Sequence, residues 1–110
     1  MLERYKLSAH TRGWVVGDFF PSLIHSNEIE VAVQNFKAGD REAKHVHKIA
    51  KEITIIAKGS CIINEQLFNE GDIVVIAPGE AASFEALQNT VTVVIKTPSV
   101  PSDKYLLDGL

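Results

Sequence analysis

The chain has 110 residues, of which 45% are hydrophobic and 23% are charged, and its formal net charge is −3. This length suits a single domain with a buried core, and the hydrophobic content excludes a disordered tail. The acidic balance and the pI of about 5.7 argue against nucleic acid as a main partner. No apolar run approaches the roughly 18 residues that are needed to cross a membrane.

The cysteine content bears on the compartment. Cys61 is the only cysteine, so the chain cannot form an internal disulfide. This favours a reducing setting, and the first six residues lack the apolar segment of a secretory signal. We therefore expect a cytoplasmic protein. We expect Cys61 to fill a small apolar site, because no pattern places a base beside it.

Residues 1–27 form a segment that begins polar and then becomes apolar. Its residues 14–20 are rich in β-branched and aromatic side chains and predict a short strand, which Pro21 ends. We expect this extension to pack on the strands that follow. Trp14, Phe19 and Phe20 are expected in the core or at a dimer interface and not on a ligand-stacking platform.

Residues 28–97 contain short alternating or apolar runs with turn signals roughly every eight to twelve residues, which is typical of an all-β sandwich or barrel. The run at 72–77 is expected to be buried on both sides. Asn64 and Glu65 predict a two-residue hairpin turn. Residues 98–110, which begin at Pro98, are expected to be a C-terminal tail. The predicted strands are 28–37, 44–47, 52–58, 60–63, 66–68, 72–77, 82–87 and 91–97.

Three possible metal ligands lie between residues 45 and 52. His45 and His47 are two positions apart, so on a strand both imidazoles would face the same side. Glu52 lies at an odd offset from His47, so the chain must turn or bulge within residues 48–51 for the three to meet. The result would be a site of two His and one carboxylate, which suits iron, manganese or zinc.

The order Gly39, five residues, His45-x-His47, four residues, Glu52, six residues and Gly59 resembles the first motif of the cupin superfamily without a gap. The resemblance implies a single-domain jelly-roll barrel, or double-stranded β-helix, with the His pair pointing into its mouth. It also implies that His45, His47 and Glu52 bind a divalent metal, which would be zinc, iron, manganese or nickel.

The second motif of the family is only partly present. Its third His would fall on Ala82 or, with a slip of one residue, on Ser83, and neither side chain can supply an imidazole. One alternative is a three-ligand site with open positions, and another is a site that no longer binds metal firmly and leaves its two His free for proton transfer. A third alternative is a substitute ligand, for which the candidates are Glu80, Glu85 and His25.

Three functions remain open, and no catalytic residue is assigned. The first is a metal-dependent oxygenase or isomerase that acts on a small molecule. The second is a metal-independent isomerase or epimerase of nucleotide-linked keto sugars, in which the two His move protons and Arg41 binds the diphosphate. The third is a non-catalytic module that holds a small or sugar-like ligand. In the metal site Thr54 is expected to line the pocket beside Glu52. We also expect the protein to form a homodimer.

Overall fold

The computed structural model describes residues 1–107, and most of these residues lie in strands. Two short 3-10 turns, Leu7–Ala9 and Thr11–Gly13, precede the first strand, and no helix among the described residues is long and apolar enough to span a membrane. The strands are β1 (Trp14–Gly17), β2 (Ile24–His25), β3 (Glu30–Phe36), β4 (Arg41–Val46), β5 (Lys51–Lys58), β6 (Ser60–Ile63), β7 (Gln66–Asn69), β8 (Ile73–Ile76), β9 (Ala81–Ala86), β10 (Thr90–Thr97) and β11 (Tyr105–Leu106).

The strands form two sheets that enclose one core. The six-stranded sheet has the order β2-β1-β3-β10-β5-β8, and the five-stranded sheet has the order β11-β4-β9-β6-β7. Ile56 and Ile76 from the first sheet pack in one cluster with Cys61, Phe84 and Ala86 from the second. Sheets that close over a shared core in this way form a jelly roll, so the all-β prediction is confirmed.

The turns follow local sequence chemistry. Asn64 and Glu65 have φ values of 49° and 67°, which is the left-handed conformation that a type I′ hairpin turn requires, and the predicted hairpin is confirmed. Gly59, at the end of the first motif, has φ of +88°, and a Cβ there would overlap the carbonyl oxygen of Asn89. Only glycine satisfies both demands, so the passage from β5 into β6 depends on this residue.

Part of the inward face of the six-stranded sheet is polar. On β10 the inward positions include Thr92 and Lys96, whereas Val93 and Ile95 point away from the barrel. The alternation in the sequence therefore predicts the strands, and the face rich in Val and Ile is the outer one.

One prediction about burial was wrong. The run at 72–77 was expected to be buried on both sides, yet β8 is an edge strand. Ile73 is 61% exposed and Val75 is 54% exposed, because only the alternate residues Val74 and Ile76 face the core.

Segments on both sides of the barrel core add strands to the two sheets. β1 pairs antiparallel with β3 and parallel with β2, so the N-terminal segment extends the six-stranded sheet. Beyond β10, the short strand β11 pairs with β4 in the other sheet, and residues 108–110 lie outside the described part of the chain. The sequence did not predict this last strand.

Candidate metal centre

His45, His47 and Glu52 meet at the end of the barrel where the chain passes from one sheet to the other. His45 lies on β4, His47 follows the last residue of that strand, and Glu52 is the second residue of β5. One ligand atom from each of the three side chains lies within 4.8 Å of the others. The predicted turn within residues 48–51 is present, and it brings Glu52 round to the two imidazoles.

The ring of His47 is held in one orientation by the C-terminal segment. Its Nδ1 contacts the backbone carbonyl of Asp103, and a carbonyl can only accept a hydrogen bond, so Nδ1 carries the proton. The other ring nitrogen, Nε2, lies 3.4 Å from Oε1 of Glu52. The side chain of His47 is 7% exposed, so water does not compete for this arrangement.

The ring of His45 also carries a proton on Nδ1. Its Nδ1 donates to the carbonyl oxygen of Ala43 at 3.0 Å, which leaves Nε2 free to act as a ligand. Burial lowers the pKa of His45 below its usual value of 6.5, and the nearby charges of Lys104 and of a protonated His47 act in the same direction. The hydrogen bond to Ala43 opposes the shift without reversing it, so His45 is a neutral imidazole at pH 7.

Glu52 is an ionised carboxylate in a largely buried position, with its side chain 16% exposed. Burial acts to raise its pKa, but the hydrogen bonds from His47 and Thr54 and the charge of Lys96 outweigh that effect, and the pKa of Glu52 is lowered. The Thr54 hydroxyl donates to Oε2 of Glu52 at 2.9 Å. Thr54 therefore leaves the other carboxylate oxygen, Oε1, directed at His47.

The donor set fits a divalent metal. Nε2 of His47 lies 3.4 Å from Oε1 of Glu52, and one ligand atom from each of His45, His47 and Glu52 lies within 4.8 Å of the others. Neighbouring ligands on a metal with bonds near 2.1 Å stand about 3.0–3.4 Å apart, which matches this pair. Two imidazoles and one carboxylate suit zinc, iron, manganese or nickel, which bind nitrogen and oxygen ligands.

A cavity of about 350 Å³ lies beside the three side chains, and Thr54 lines it. Such a volume is at the lower end of the range of about 300–1,000 Å³ for small-molecule sites. The N-terminal segment forms part of its wall through Trp14, Phe19 and Phe20. We expected these aromatic residues in the core or at a dimer interface, but Phe20 is 96% exposed and is not a core residue.

Comparison with solved structures places this architecture among known folds. A conserved protein with a double-stranded β-helix domain from Klebsiella pneumoniae is 18% identical, with a TM-score of 0.70 over 94% of this chain and 90% of that one. A sugar phosphate isomerase from the cupin superfamily of Silicibacter pomeroyi has a TM-score of 0.65 at 16% identity over 74% and 57% of the two chains. The fold is that of the cupins.

A third cupin-fold relative, oxalate decarboxylase from Bacillus subtilis, is 19% identical with a TM-score of 0.64, over 74% of this chain and 24% of its own length. No protein-family model matches the sequence, and no curated protein matches it either. At these levels of identity the likeness establishes the fold alone. The resemblance to the cupins inferred from the first motif is confirmed at that level.

The structure locates the position of the missing cupin His. Ala82 on β9 is paired with His45 on β4 and lines the cavity beside the three candidate ligands. A methyl group therefore stands at the place where the motif has a fourth ligand, and that side of the site is open. Ser83 also lines the cavity, on the same strand.

The candidates for a substitute ligand lie elsewhere. Glu85 pairs with Arg41 at 3.1 Å, and His25 pairs with Asp18 at 2.7 Å. Glu80 accepts a hydrogen bond from the backbone of its own turn. None of these side chains lines the cavity, and neither does Arg41, which is 74% exposed. Among the residues that the structure describes, the group of three therefore gains no fourth His or carboxylate.

Two sets of residues at the site were missed by the sequence analysis. Asp103 lies in the segment expected to be a tail, and no local pattern connects it to His47. Glu30 and Lys96 line the cavity as a buried ion pair. Their signal was present in the sequence, because each is the one charged residue of its strand, but the alternation alone does not say which face is inside.

Proposed function

We propose that the protein binds one divalent metal ion through His45, His47 and Glu52 and uses it to bind or transform a small polar molecule in the adjoining cavity. The observation that carries this proposal is the convergence of His45, His47 and Glu52, whose ligand atoms lie within 4.8 Å of one another at the cavity. Bound there, the metal would act as a Lewis acid that polarises an oxygen of the substrate.

In this proposal the residues that contact the three metal ligands orient them. The carbonyls of Asp103 and Ala43 accept hydrogen bonds from the two Nδ1 atoms, so Nε2 is the atom of each ring that would bind the metal. Thr54 orients the Glu52 carboxylate through one oxygen. The methyl group of Ala82 leaves room for a substrate oxygen beside the ligands, as an open coordination position requires.

The class of substrate is also proposed. Two of the relatives described above are named as a sugar phosphate isomerase and an oxalate decarboxylase, and both of these names refer to small polar molecules. The cavity in this chain has a volume of about 350 Å³ and is lined in part by charged and polar side chains. We therefore propose a small oxygen-rich molecule as the ligand of this protein.

Metal content tests the proposal. We would measure metal per chain by mass spectrometry after incubation of the untagged protein with excess Fe²⁺, Mn²⁺, Ni²⁺ or Zn²⁺ and removal of free ions. We expect close to one ion per chain for at least one metal. The double variant His45→Ala/His47→Ala should lose it, and His25→Ala, which removes an exposed imidazole outside the cavity, should retain it. No binding by the parent, or full binding by the double variant, would exclude the proposed site.

A metal-independent isomerase is the second candidate. It is favoured by the lowered pKa of His45, which makes that imidazole a base at neutral pH, and by the absence of an imidazole at Ala82. Exchange of the α-proton of a nucleotide-linked keto sugar in deuterated water, followed by NMR with metal-free protein, separates the two candidates. Exchange that depends on His45 would support the isomerase, and a lack of exchange would leave the metal-dependent function.

We also propose a homodimer. The outer face of the six-stranded sheet carries two cross-strand rows of β-branched side chains. Ile73 and Val75 are 61% and 54% exposed, and the other six are half-buried. A continuous apolar face of this kind can pack against its own copy about a two-fold axis. A cytoplasmic location is proposed with it, as the single cysteine favours. The rows are Val31, Ile95, Ile53 and Val75, and Val33, Val93, Ile55 and Ile73.

A further inference from the structure

A second charged group lies inside the cavity beside the candidate metal ligands. Nζ of Lys96 is 3.1 Å from Oε1 of Glu30, and the two side chains are only 12% and 4% exposed. Both residues line the same cavity as His45, His47 and Glu52. A lysine and a glutamate are seldom buried to this degree unless they are paired.

The pair is held in place by neighbouring elements. The Ser99 hydroxyl donates to Oε2 of Glu30 at 2.7 Å and accepts a hydrogen bond from the backbone N–H of Asp18 at 2.9 Å. Nζ of Lys96 lies 4.7 Å from the centre of the Trp14 ring, which is a cation–π distance. The ammonium group is therefore positioned by its carboxylate partner and by the N-terminal segment.

Stability alone does not account for this pair. Burying two charges costs desolvation energy, and apolar residues of similar volume are often equally or more stabilising at such positions. The outward positions next to Lys96 and Glu30 on their strands include the apolar residues Ile95 and Val31. A charged pair that faces a cavity, on strands that are otherwise rich in Val and Ile, indicates a group that binds a ligand.

Lys96 is close to the candidate metal ligands. It is paired with Glu52 across β10 and β5, and side chains paired in this way have Cβ atoms about 4.5–5.5 Å apart. An ammonium group has three N–H donors, and the contact with Glu30 uses one of them. The others can donate to a ligand that also reaches the metal site.

The charge of the lining favours an anion. Apart from the two His, the cavity is lined by three cationic and three anionic side chains, so their charges cancel. The cations are Arg12, Lys96 and Lys104, and the anions are Glu30, Glu42 and Glu52. A divalent metal at the candidate site would leave a surplus of two positive charges beside Glu30, Glu52 and Lys96, whose side chains are 4%, 16% and 12% exposed. An anionic ligand would restore the balance, and electrostatic attraction is strong in such surroundings.

We propose that Lys96 binds the carboxylate of a small acid whose second oxygen group lies at the site formed by His45, His47 and Glu52. The ligand class is a short hydroxy- or oxo-carboxylate, or a short dicarboxylate. This inference rests on the proposed metal site for its second contact. A monoanionic carboxylate fits better than a phosphate dianion, because Glu30 lies beside the same ammonium and repels the additional charge.

The test compares a carboxylate with its neutral amide. Calorimetry would measure the binding of lactate and of lactamide, which have nearly the same shape, to metal-loaded and to metal-free protein. Malonate and inorganic phosphate would be titrated as well. We expect lactate to bind the loaded parent about 10- to 100-fold more tightly than lactamide, as a charge-assisted hydrogen bond implies.

The variants isolate the ammonium group. Lys96→Met leaves Glu30 buried without its partner and risks misfolding, so the double variant Lys96→Met/Glu30→Gln is measured beside it. This double variant should bind metal as the parent does, but its preference for lactate over lactamide should fall to about twofold or less. Lys58→Met removes an exposed lysine from the same barrel, at the far end of β5, and should leave the preference unchanged.

Other results would overturn the inference. A double variant that keeps its metal and the full preference for lactate would exclude Lys96 as the carboxylate group, and so would a parent that binds lactamide equally well. Tighter binding of phosphate than of malonate would replace the carboxylate class with phosphates. If the protein binds no metal, the proposed function fails, but the role of Lys96 can still be tested with metal-free protein. Malonate binding must then weaken in the double variant and stay unchanged in Lys58→Met.

Discussion

The imidazole of His47 and the backbone carbonyl of Asp103 are joined by a hydrogen bond across 56 residues of sequence. The carboxylate of the same aspartate, which is 2% exposed, accepts three backbone N–H groups, from Lys48, Ile49 and Ala50. One residue thus closes the turn between β4 and β5 and orients a candidate ligand on it. Burial acts to raise the pKa of Asp103, but the three backbone donors and His47 lower it overall.

The substitution Asp103→Asn should therefore weaken both the fold and the metal site. An amide oxygen accepts less strongly than a carboxylate, and the NH₂ group would face backbone donors. We expect the free energy of unfolding to fall by about 2–4 kcal/mol, since hydrogen bonds to charged groups contribute about 1.5–3 kcal/mol each and are not additive. Metal affinity should fall by about 10- to 100-fold, as for other residues that orient a ligand.

Urea unfolding of metal-free protein and competition with a chelator measure these two effects separately. Asp18→Asn is the matched control, because Asp18 is partly exposed and pairs with His25 outside the cavity. The control should change unfolding by less than about 1 kcal/mol, as is usual for an exposed ion pair. Unchanged metal affinity in Asp103→Asn would show that this residue supports the turn and not the ligand.

Ala82→His should strengthen metal binding. Ala82 is paired with His45 and lines the cavity, so an imidazole there would reach the open side of the three-residue group. We expect the metal affinity to rise about tenfold or more, at a cost of about 1–3 kcal/mol in stability from overpacking a site that is 7% exposed. Competition with a chelator measures the affinity.

Ala81→His is the matched control for that substitution. Ala81 precedes Ala82 on β9 and does not line the cavity, so its imidazole should not reach the site. Equal gains in the two variants would indicate nonspecific binding by an added His. A loss of affinity in Ala82→His alone would mean that the open side is needed for the bound ion.

Cys61 should be chemically inert in the folded protein. Its side chain is fully buried, and burial, with a smaller effect from Asp72, raises the pKa of the thiol from 9.0 to about 11. At pH 8 only about one molecule in a thousand would carry the thiolate. We expect iodoacetamide to label native protein at the rate of unfolding and to label urea-unfolded protein at least a hundredfold faster, as mass spectrometry would show.

The same thiol predicts a loss of stability in alkali. Because the folded pKa lies above the unfolded value, the unfolded chain releases this proton first as the pH rises through 9. The free energy of unfolding should then fall by up to about 2–3 kcal/mol as pH 11 is approached. Cys61→Ala should lack this part of the decline, and identical pH profiles for the two proteins would contradict the raised pKa.

Val75→Glu should separate the proposed dimer. Val75 is 54% exposed on the outer face of the six-stranded sheet, and a carboxylate there would be buried against the partner copy without a counter-charge. We expect light scattering after size exclusion to give a dimer for the parent and a monomer for the variant. Leu67→Glu, at a site 58% exposed on the other sheet, should remain dimeric. A monomeric parent at 100 µM would exclude this interface.

Much of the strand pattern could be predicted from the sequence, because side chains on a β-strand alternate between its two faces and this alternation is visible over a few residues. Alternation across residues 28–37 and 91–97 predicted β3 and β10 within one or two residues, and positive φ at Asn64 and Glu65 follows the predicted hairpin. The inner face of these strands could not be assigned in the same way. An apolar face normally points to the core, but here it is the outer face, because the barrel encloses a polar cavity and not only a core.

The spacing of His45, His47 and Glu52 determined that these side chains could meet after a turn, and the sequence alone was sufficient for that. Only the tertiary structure decided what surrounds them. Asp103 reaches His47 because β11 pairs with β4, and Lys96 reaches Glu52 because β10 pairs with β5. Pairings between strands that are distant in sequence leave no local pattern, since each depends on how the two sheets close around the core.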